Sequence, residues 1–384
     1  MDASAVGEAL RLAGEVPDPR RHNRVHLLSD ILLVALCALM CGADGWLDVQ
    51  QWGVMHQEWL KTWLTLRRGI PAHDTFARVF ARLDPLALEK LLTQWLAALG
   101  VQSQGKQIAI DGKALRRGFE HAFNAESTMA HMASAYAGAE GVALGQLGYT
   151  SKEGELEAVK KLLEMLDLKG CIVTADALSC QKEVARQIAG KQGNYVLCIK
   201  QNQRALFKKV KTLLNEAVIE KLQGWKATHH QETCGGHGRI ETRDIWCTSE
   251  VEHLGQLGQD WPALAAVAVV QCRRQVHGRE PTVQKRYYLL SDASHDARKV
   301  GQIVRGHWAI ENGLHYVLDV SFDEDHCRVR KDHGAENFSR MRRLTANLLR
   351  RAEGKASIRC KRKCCGWSTE FLAKALFAGL GATP

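Results

Sequence analysis

Two short apolar runs, each closed by an aspartate, constrain this chain more than any other feature. Residues 106–110 (KQIAI) end on Asp111, and residues 171–175 (CIVTA) end on Asp176. Both read as buried strands. Between them, AHMASAYAGAEGVALGQLGYT (130–150) reads as two strands turning at 138–141, and 155–166 reads as a helix. A helix over 181–189, a strand over 194–199 and a helix from 204 to 220 are predicted next. Hairpin strands followed by helix–strand alternation predict a mixed α/β sheet. Such sheets bind their ligands beyond the carboxyl ends of strands, where both aspartates fall. Turn formation is the alternative use for an aspartate at a strand end.

A third carboxylate lies in residues 302–331. Ile303, Ile310, Leu314 and Val317 recur at helical spacing, with Val304, Trp308, Glu311, His315 and Leu318 as the neighbouring stripe. Glu311 therefore sits at the border of a buried face, where a carboxylate is costly without a cation. Arg305 could supply one through a structural salt bridge. A divalent ion shared with Asp111 and Asp176 is the other solution. Magnesium suits such a site because it is hard, oxygen-seeking and content with few protein ligands. Three carboxylates can hold two such ions, an arrangement that serves phosphodiester chemistry. Glu324 and Asp325 are alternatives to Glu311 as the third carboxylate.

Charge distribution suggests the substrate class. Residues 326–363 hold 13 Lys/Arg against 3 Asp/Glu, whereas the rest of the chain is balanced at 39 against 39. One basic segment on a neutral body predicts a polyanionic partner. Within it, 334–352 reads as a helix with Phe338, Met341, Leu344 and Leu348 on one side. Arg340, Arg343, Asn347, Arg350 and Arg351 on the other side are expected to face phosphates. Arg328, Arg330 and Lys331 precede that helix. Lys113, Lys200, Gln203, Arg239 and His237 are further candidates for DNA contact.

The 12 cysteines are scattered and no secretory signal precedes them, so a reducing, cytoplasmic setting is expected. Neither His229/His230/Cys234/His237 nor Cys360/Cys364/Cys365 has paired zinc-ligand spacing. The run at 31–43 is too short to span a membrane. Residues 1–104 read as an N-terminal helical domain, helix-turn-helix-like or a plain bundle. Residues 105–384 form the second unit, with a β-rich insertion over about 225–290.

Several blocks resemble bacterial insertion-sequence transposases, closest to the group that includes the H-repeat-associated proteins: GIPAHDTFARVF (69–80), AIDGKALRRG (109–118), ADALSCQKEVARQI (175–188), GNYVLCIKQNQ (193–203), HGRIETR (237–243) and RGHWAIENGLHYVLDVSFDEDHCRVRK (305–331). The resemblance implies an RNase H-like core and a β-rich insertion before the helix of the third carboxylate. It also implies a catalytic, metal-binding triad of Asp111, Asp176 and Glu311. Magnesium is the implied cofactor, with manganese as a substitute, and two ions are expected. The implied partners are DNA, both element ends and target, with a homodimer formed on DNA and no membrane association. Val304, His307 and Leu318 stand where transposases of the wider superfamily often carry tyrosine, arginine and lysine. Arg305 and Trp308 fit, and Trp308 could stack on an unpaired base. The alternatives are a DNA-binding protein of transposase descent that no longer transposes, and a simple RNase H-like nuclease.

Overall fold

A computed structural model describes residues 2–21, 24–118, 129–219, 226–236, 238–294 and 296–380. Six helices come first: α1 (Ala3–Gly14), α2 (Leu28–Met40), α3 (Trp46–Met55), the single turn α4 (Gln57–Leu60), α5 (His73–Arg82) and α6 (Pro85–Ala98). α2 is buried all round, as its apolar run predicts. Asp84 caps α6 by accepting from the Leu86 N–H, and Pro85 stands in the first turn, where its missing N–H costs nothing.

A nine-stranded sheet follows, in the order β3-β2-β1-β4-β5-β9-β8-β7-β6. β1 (Gln107–Ala114), β2 (His131–Ala137) and β3 (Val142–Tyr149) form an antiparallel meander. β4 (Ile172–Ala175) and β5 (Asn194–Ile199) then add in parallel to β1. α7 (Lys152–Met165) and α8 (Lys182–Gly190) make the connections, and α9 (Arg204–Ile219) follows β5. Three antiparallel strands followed by two parallel ones constitute the RNase H-like mixed sheet that the sequence blocks imply.

The β-rich region contributes β6 (Ala227–Gly236), β7 (Arg239–Thr248), β8 (Ala266–Val276) and β9 (Thr282–Leu290), with the single turn α10 (Gln256–Gln259) between β7 and β8. These strands extend the same sheet rather than forming a separate body. β9 pairs antiparallel with β5, from Val196↔Leu290 to Ile199↔Tyr287. The chain then runs through α11 (Ala297–His307), a π-helical turn at Glu311–His315 and α12 (Tyr316–Phe322). α13 (Gly334–Arg351), α14 (Ile358–Trp367) and α15 (Thr369–Phe377) close it.

α11 covers one face of the sheet, seating Val300, Ile303 and Val304 against strand residues such as Ile245, Ala268 and Tyr288. The main core lies on the other face and runs without a break into α1–α6. α13 is the hub of that continuity, packed on α2, α5, α6 and β3.

This placement corrects the reading of the basic helix. Phe338, Met341, Leu344 and Leu348 are buried as predicted, but so are Arg340, Arg343 and Asn347 on the opposite side, with only Arg351 exposed at the helix end. Arg343 is 0% exposed and donates to both carboxylate oxygens of Glu89, at 2.8 and 3.0 Å, while Arg340, at 1%, adds a 3.4 Å contact and pairs with Glu336. Glu89 on α6 is itself fully buried and also accepts from the Gln146 N–H. A buried carboxylate is tolerated only when saturated in this way. Asn347 exchanges hydrogen bonds with the Ala143 backbone. Arg340 and Arg343 are therefore structural ion-pair partners and do not face phosphates. Arg350 is half-buried, lies over the Tyr136 ring and donates to the Gly313 carbonyl, so it too is occupied internally.

Candidate active site

β1 and β4 run parallel with Ile110 opposite Ala175, so Asp111, within β1, and Asp176, one residue past the end of β4, come next on neighbouring chains. Gly112 permits this crowding. A Cβ there would overlap the Tyr149 hydroxyl, which packs over the end of β1.

Glu311 reaches the aspartates from the segment between α11 and α12. Asp296 caps α11 by accepting from the Lys299 N–H at 2.8 Å. After His307 the helix loosens, and the Tyr316 N–H donates to the Glu311 carbonyl in the i+5 pattern of a π turn. Such turns often lie at functional sites because they re-aim side chains without breaking the helix. Gly313 lets this turn approach β2, since a Cβ would overlap the Tyr136 hydroxyl. The Arg350 guanidinium takes up the Gly313 carbonyl, so that arginine supports the turn carrying Glu311.

Asp111 is partly buried and Glu311 about half exposed. His315 Nδ1 lies 3.2 Å from Glu311 Oε2 and 3.9 Å from Asp111 Oδ2. The Asp111 carboxyl is pushed up to about 7, first by burial, then by the nearby charges of Glu311 and Asp176; the Gly112 N–H opposes the shift. Glu155 at the start of α7 is also raised, by burial and by Asp176. Negative charge is thus concentrated at carboxylates that make no ion pair with lysine or arginine among the described residues. Among the described residues, Asp111, Glu311 and His315 form the one group whose ligand atoms converge, within 4.8 Å of one another. This donor set fits a divalent cation.

A cleft of about 240 Å³ opens beside these carboxylates, lined by Asp111, Asp176 and Glu311 and also by Lys200, Arg286 and Trp308. Lys200 follows β5 and is exposed. Arg286 on β9 is drawn beside it by the β5–β9 pairing, and its guanidinium lies 5.1 Å from the Trp308 ring centre. Trp308 is 45% exposed, which leaves ring surface open to a ligand. His307 also lines the cleft, but its Nδ1 is 3.0 Å from the Thr174 hydroxyl, and burial lowers its proton affinity.

Residues 102–348 match the Transposase DDE domain, and residues 11–96 match a family described as DDE_Tnp_1-associated. The chain belongs to the DDE transposase family. It is 34% identical over 365 residues to "Putative transposase YncI" of Escherichia coli O157:H7, covering 94% of this chain and 92% of that one. It is 33% identical over 371 residues to "H repeat-associated putative transposase YhhI" of Escherichia coli K12, covering 95% and 96%. Among solved structures it is similar to a piggyBac transposase synaptic complex with hairpin DNA, at TM-score 0.42 and 11% identity over 96% of this chain and 78% of that one. Members of the DDE transposase family generally use a divalent metal. No helix among the described residues is long and apolar enough to cross a membrane.

The other residues singled out for DNA contact divide sharply in this family member. Lys113 is corrected: its ammonium is buried between Asp319 at 2.7 Å and Glu324 and Asp325 at 3.2 Å. Burial alone would lower its proton affinity, but these carboxylates hold it above the ordinary value. The same contacts occupy Glu324 and Asp325, the alternatives to Glu311. Gln203 is half-buried and donates to the Cys180 carbonyl and the Gln181 side chain, so it braces the end of β5 instead of facing solvent. Arg305 is exposed and pairs with Glu232 at 3.2 Å, so the salt bridge to Glu311 is not made. Arg239 is exposed near Glu241 on the far half of β7. Arg328 and Lys331 are exposed, and Arg330 donates to the Arg117 carbonyl. His237 lies outside the described residues. Of the zinc-like clusters, His229 instead stacks on Trp246. Arg286 was not foreseen. Its sequence neighbourhood, KRYYLL, shows only a strand, and the cleft exists through a pairing between strands some 90 residues apart, 194–199 with 282–290.

Proposed function

We propose that the protein is the transposase of an insertion sequence, which cuts DNA at the element ends and joins the freed 3′-hydroxyl to target DNA. The observation that carries this reading is that Asp111, Asp176 and Glu311 line one cleft together with Lys200 and Arg286. The carboxylates would hold magnesium, or manganese in its place, as two ions. Bound divalent cations supply activation of the attacking oxygen and charge neutralisation at the leaving one.

The chain's own residues do the rest. Asp111 and Asp176 are fixed by parallel strands, and Glu311 by its propped π turn, so the donors are positioned before substrate arrives. Lys200 and Arg286 meet the phosphodiester backbone, and Trp308 offers a stacking surface for an unpaired base. Arg239, Arg328, Arg330 and Lys331 extend the contact with DNA from the β6–β9 strands and the loop before α13. Residues 1–104 form a transposase-associated DNA-binding domain beside the catalytic unit of 105–384, and two copies act together on paired ends.

The test is purified protein on labelled DNA from the ends flanking its gene, with magnesium. Cleavage at the end boundaries, absent in chelator, is expected. End binding without cleavage under any divalent ion would favour the DNA-binding protein that no longer transposes.

A further inference from the structure

The converging donors beside Asp111 include a nitrogen. His315 stands four residues beyond Glu311, across the π turn, and is 4% exposed. Its Nδ1 faces Glu311 at 3.2 Å and Asp111 at 3.9 Å. Two ligands at right angles on an ion with bonds of about 2.1 Å stand about 3 Å apart. The histidine–glutamate separation matches that edge, and the aspartate is short of it by less than 1 Å of side-chain movement. Packing alone does not call for this ring, because Leu314 and Leu318 beside it already fill the core with apolar atoms.

We propose that His315 is a ligand, through Nδ1, of a divalent cation held by Asp111 and Glu311, which makes the site a mixed oxygen–nitrogen one. The inference rests on the carboxylate reading above and adds a ligand outside the Asp-Asp-Glu set. Imidazole is a softer donor than carboxylate, so the site favours manganese over magnesium more than three carboxylates would.

Manganese bound to the full-length protein reports its ligands directly. Electron spin-echo modulation of one bound equivalent should show ¹⁴N coupling from a directly bonded imidazole. In His315→Gln that coupling should vanish, with manganese affinity down about tenfold and magnesium affinity changed less. Bound manganese without nitrogen coupling in the wild type overturns the proposal, and this spectrum decides even if the variant folds poorly. Coupling that survives in His315→Gln also overturns it, by pointing to another histidine such as His307. Asp111→Asn separates this inference from its basis. Manganese binding indifferent to Asp111 defeats the carboxylate site itself, whereas Asp111-dependent binding without nitrogen coupling defeats only the role of His315.

Discussion

Asp111 and Lys113 are two residues apart on β1 and belong to opposite electrostatic arrangements. Around Lys113, three carboxylates from α12 and the turn after it enclose a buried ammonium, and Arg116 and Arg342 pair with Asp325 and Glu324, so the cluster is neutralised by the chain itself. Around Asp111, the carboxylates of Asp176 and Glu311 gather without an ion pair to lysine or arginine among the described residues, and the Asp111 carboxyl answers by holding its proton up to about 7. The first cluster is structural and complete. The second has the donor set for a divalent cation, the ion proposed above to bind there. Acidic residues in sequence therefore say little until it is known whether a lysine or arginine is folded in among them.

The largest expected effect lies at the Asp111 cluster. Asp111→Asn, Asp176→Asn or Glu311→Gln should each lower magnesium-dependent end cleavage about 10³-fold or more, with end binding retained, and the losses should be strongly non-additive. Wild-type cleavage by Glu311→Gln would remove that residue from the site.

At the complete cluster the expected loss is stability. Lys113→Met leaves buried carboxylates unpaired and should destabilise the fold by about 3–5 kcal/mol in urea titration. An unchanged midpoint would mean that the Lys113 cluster is no more self-contained than its neighbour.

A smaller effect follows from pH. The folded Asp111 carboxyl, at about 7, lies above its ordinary value near 3.9. The folded protein thus binds the extra proton, and its stability contribution is full below about 3.9 and lost as pH rises through 7. Metal-free protein should melt lower at pH 8 than at pH 5, Asp111→Asn should flatten that difference, and magnesium should recover it in the wild type. A slope that persists in Asp111→Asn would trace the effect to other groups.

The smallest expected change concerns the cations facing the cleft. Lys200→Ala and Arg286→Ala should each weaken DNA binding across sequences and reduce the salt-dependence slope by about 1. Arg343→Ala should instead lower the melting temperature through its lost pair with Glu89. If Arg343→Ala changed the salt slope and Arg286→Ala did not, the assignment of inner and outer cations would be reversed.

Much of this was legible in the chain. The strand closed by Asp176, the hairpin over 131–149, the β-rich region and the helix over 334–351 all appear where spacing and turn residues put them, whereas β1 runs on past Asp111 to Ala114 because its pairing with β2 continues. Local periodicity is written by each segment's own side chains, so it survives without knowledge of neighbours. Glu311 was also identifiable, because a carboxylate at the edge of an apolar stripe needs a partner. The identity of its nearest neighbours was not: the spacing could not choose between Arg305 and the aspartates.

Tertiary structure decided the fate of the charges. The arginine side of α13 looks solvated in sequence, because periodicity shows two faces but not what covers each. Folding places the N-terminal helices over one and the sheet over the other, and the buried Glu89 of α6, from some 250 residues away in sequence, pairs with Arg343 and, together with Glu336, with Arg340. Arg286 enters the cleft only because β9 pairs with β5, and Lys113 leaves the surface only because α12 and its following turn close over it. Burial and pairing across such distances depend on which surfaces meet, and no local pattern records that meeting.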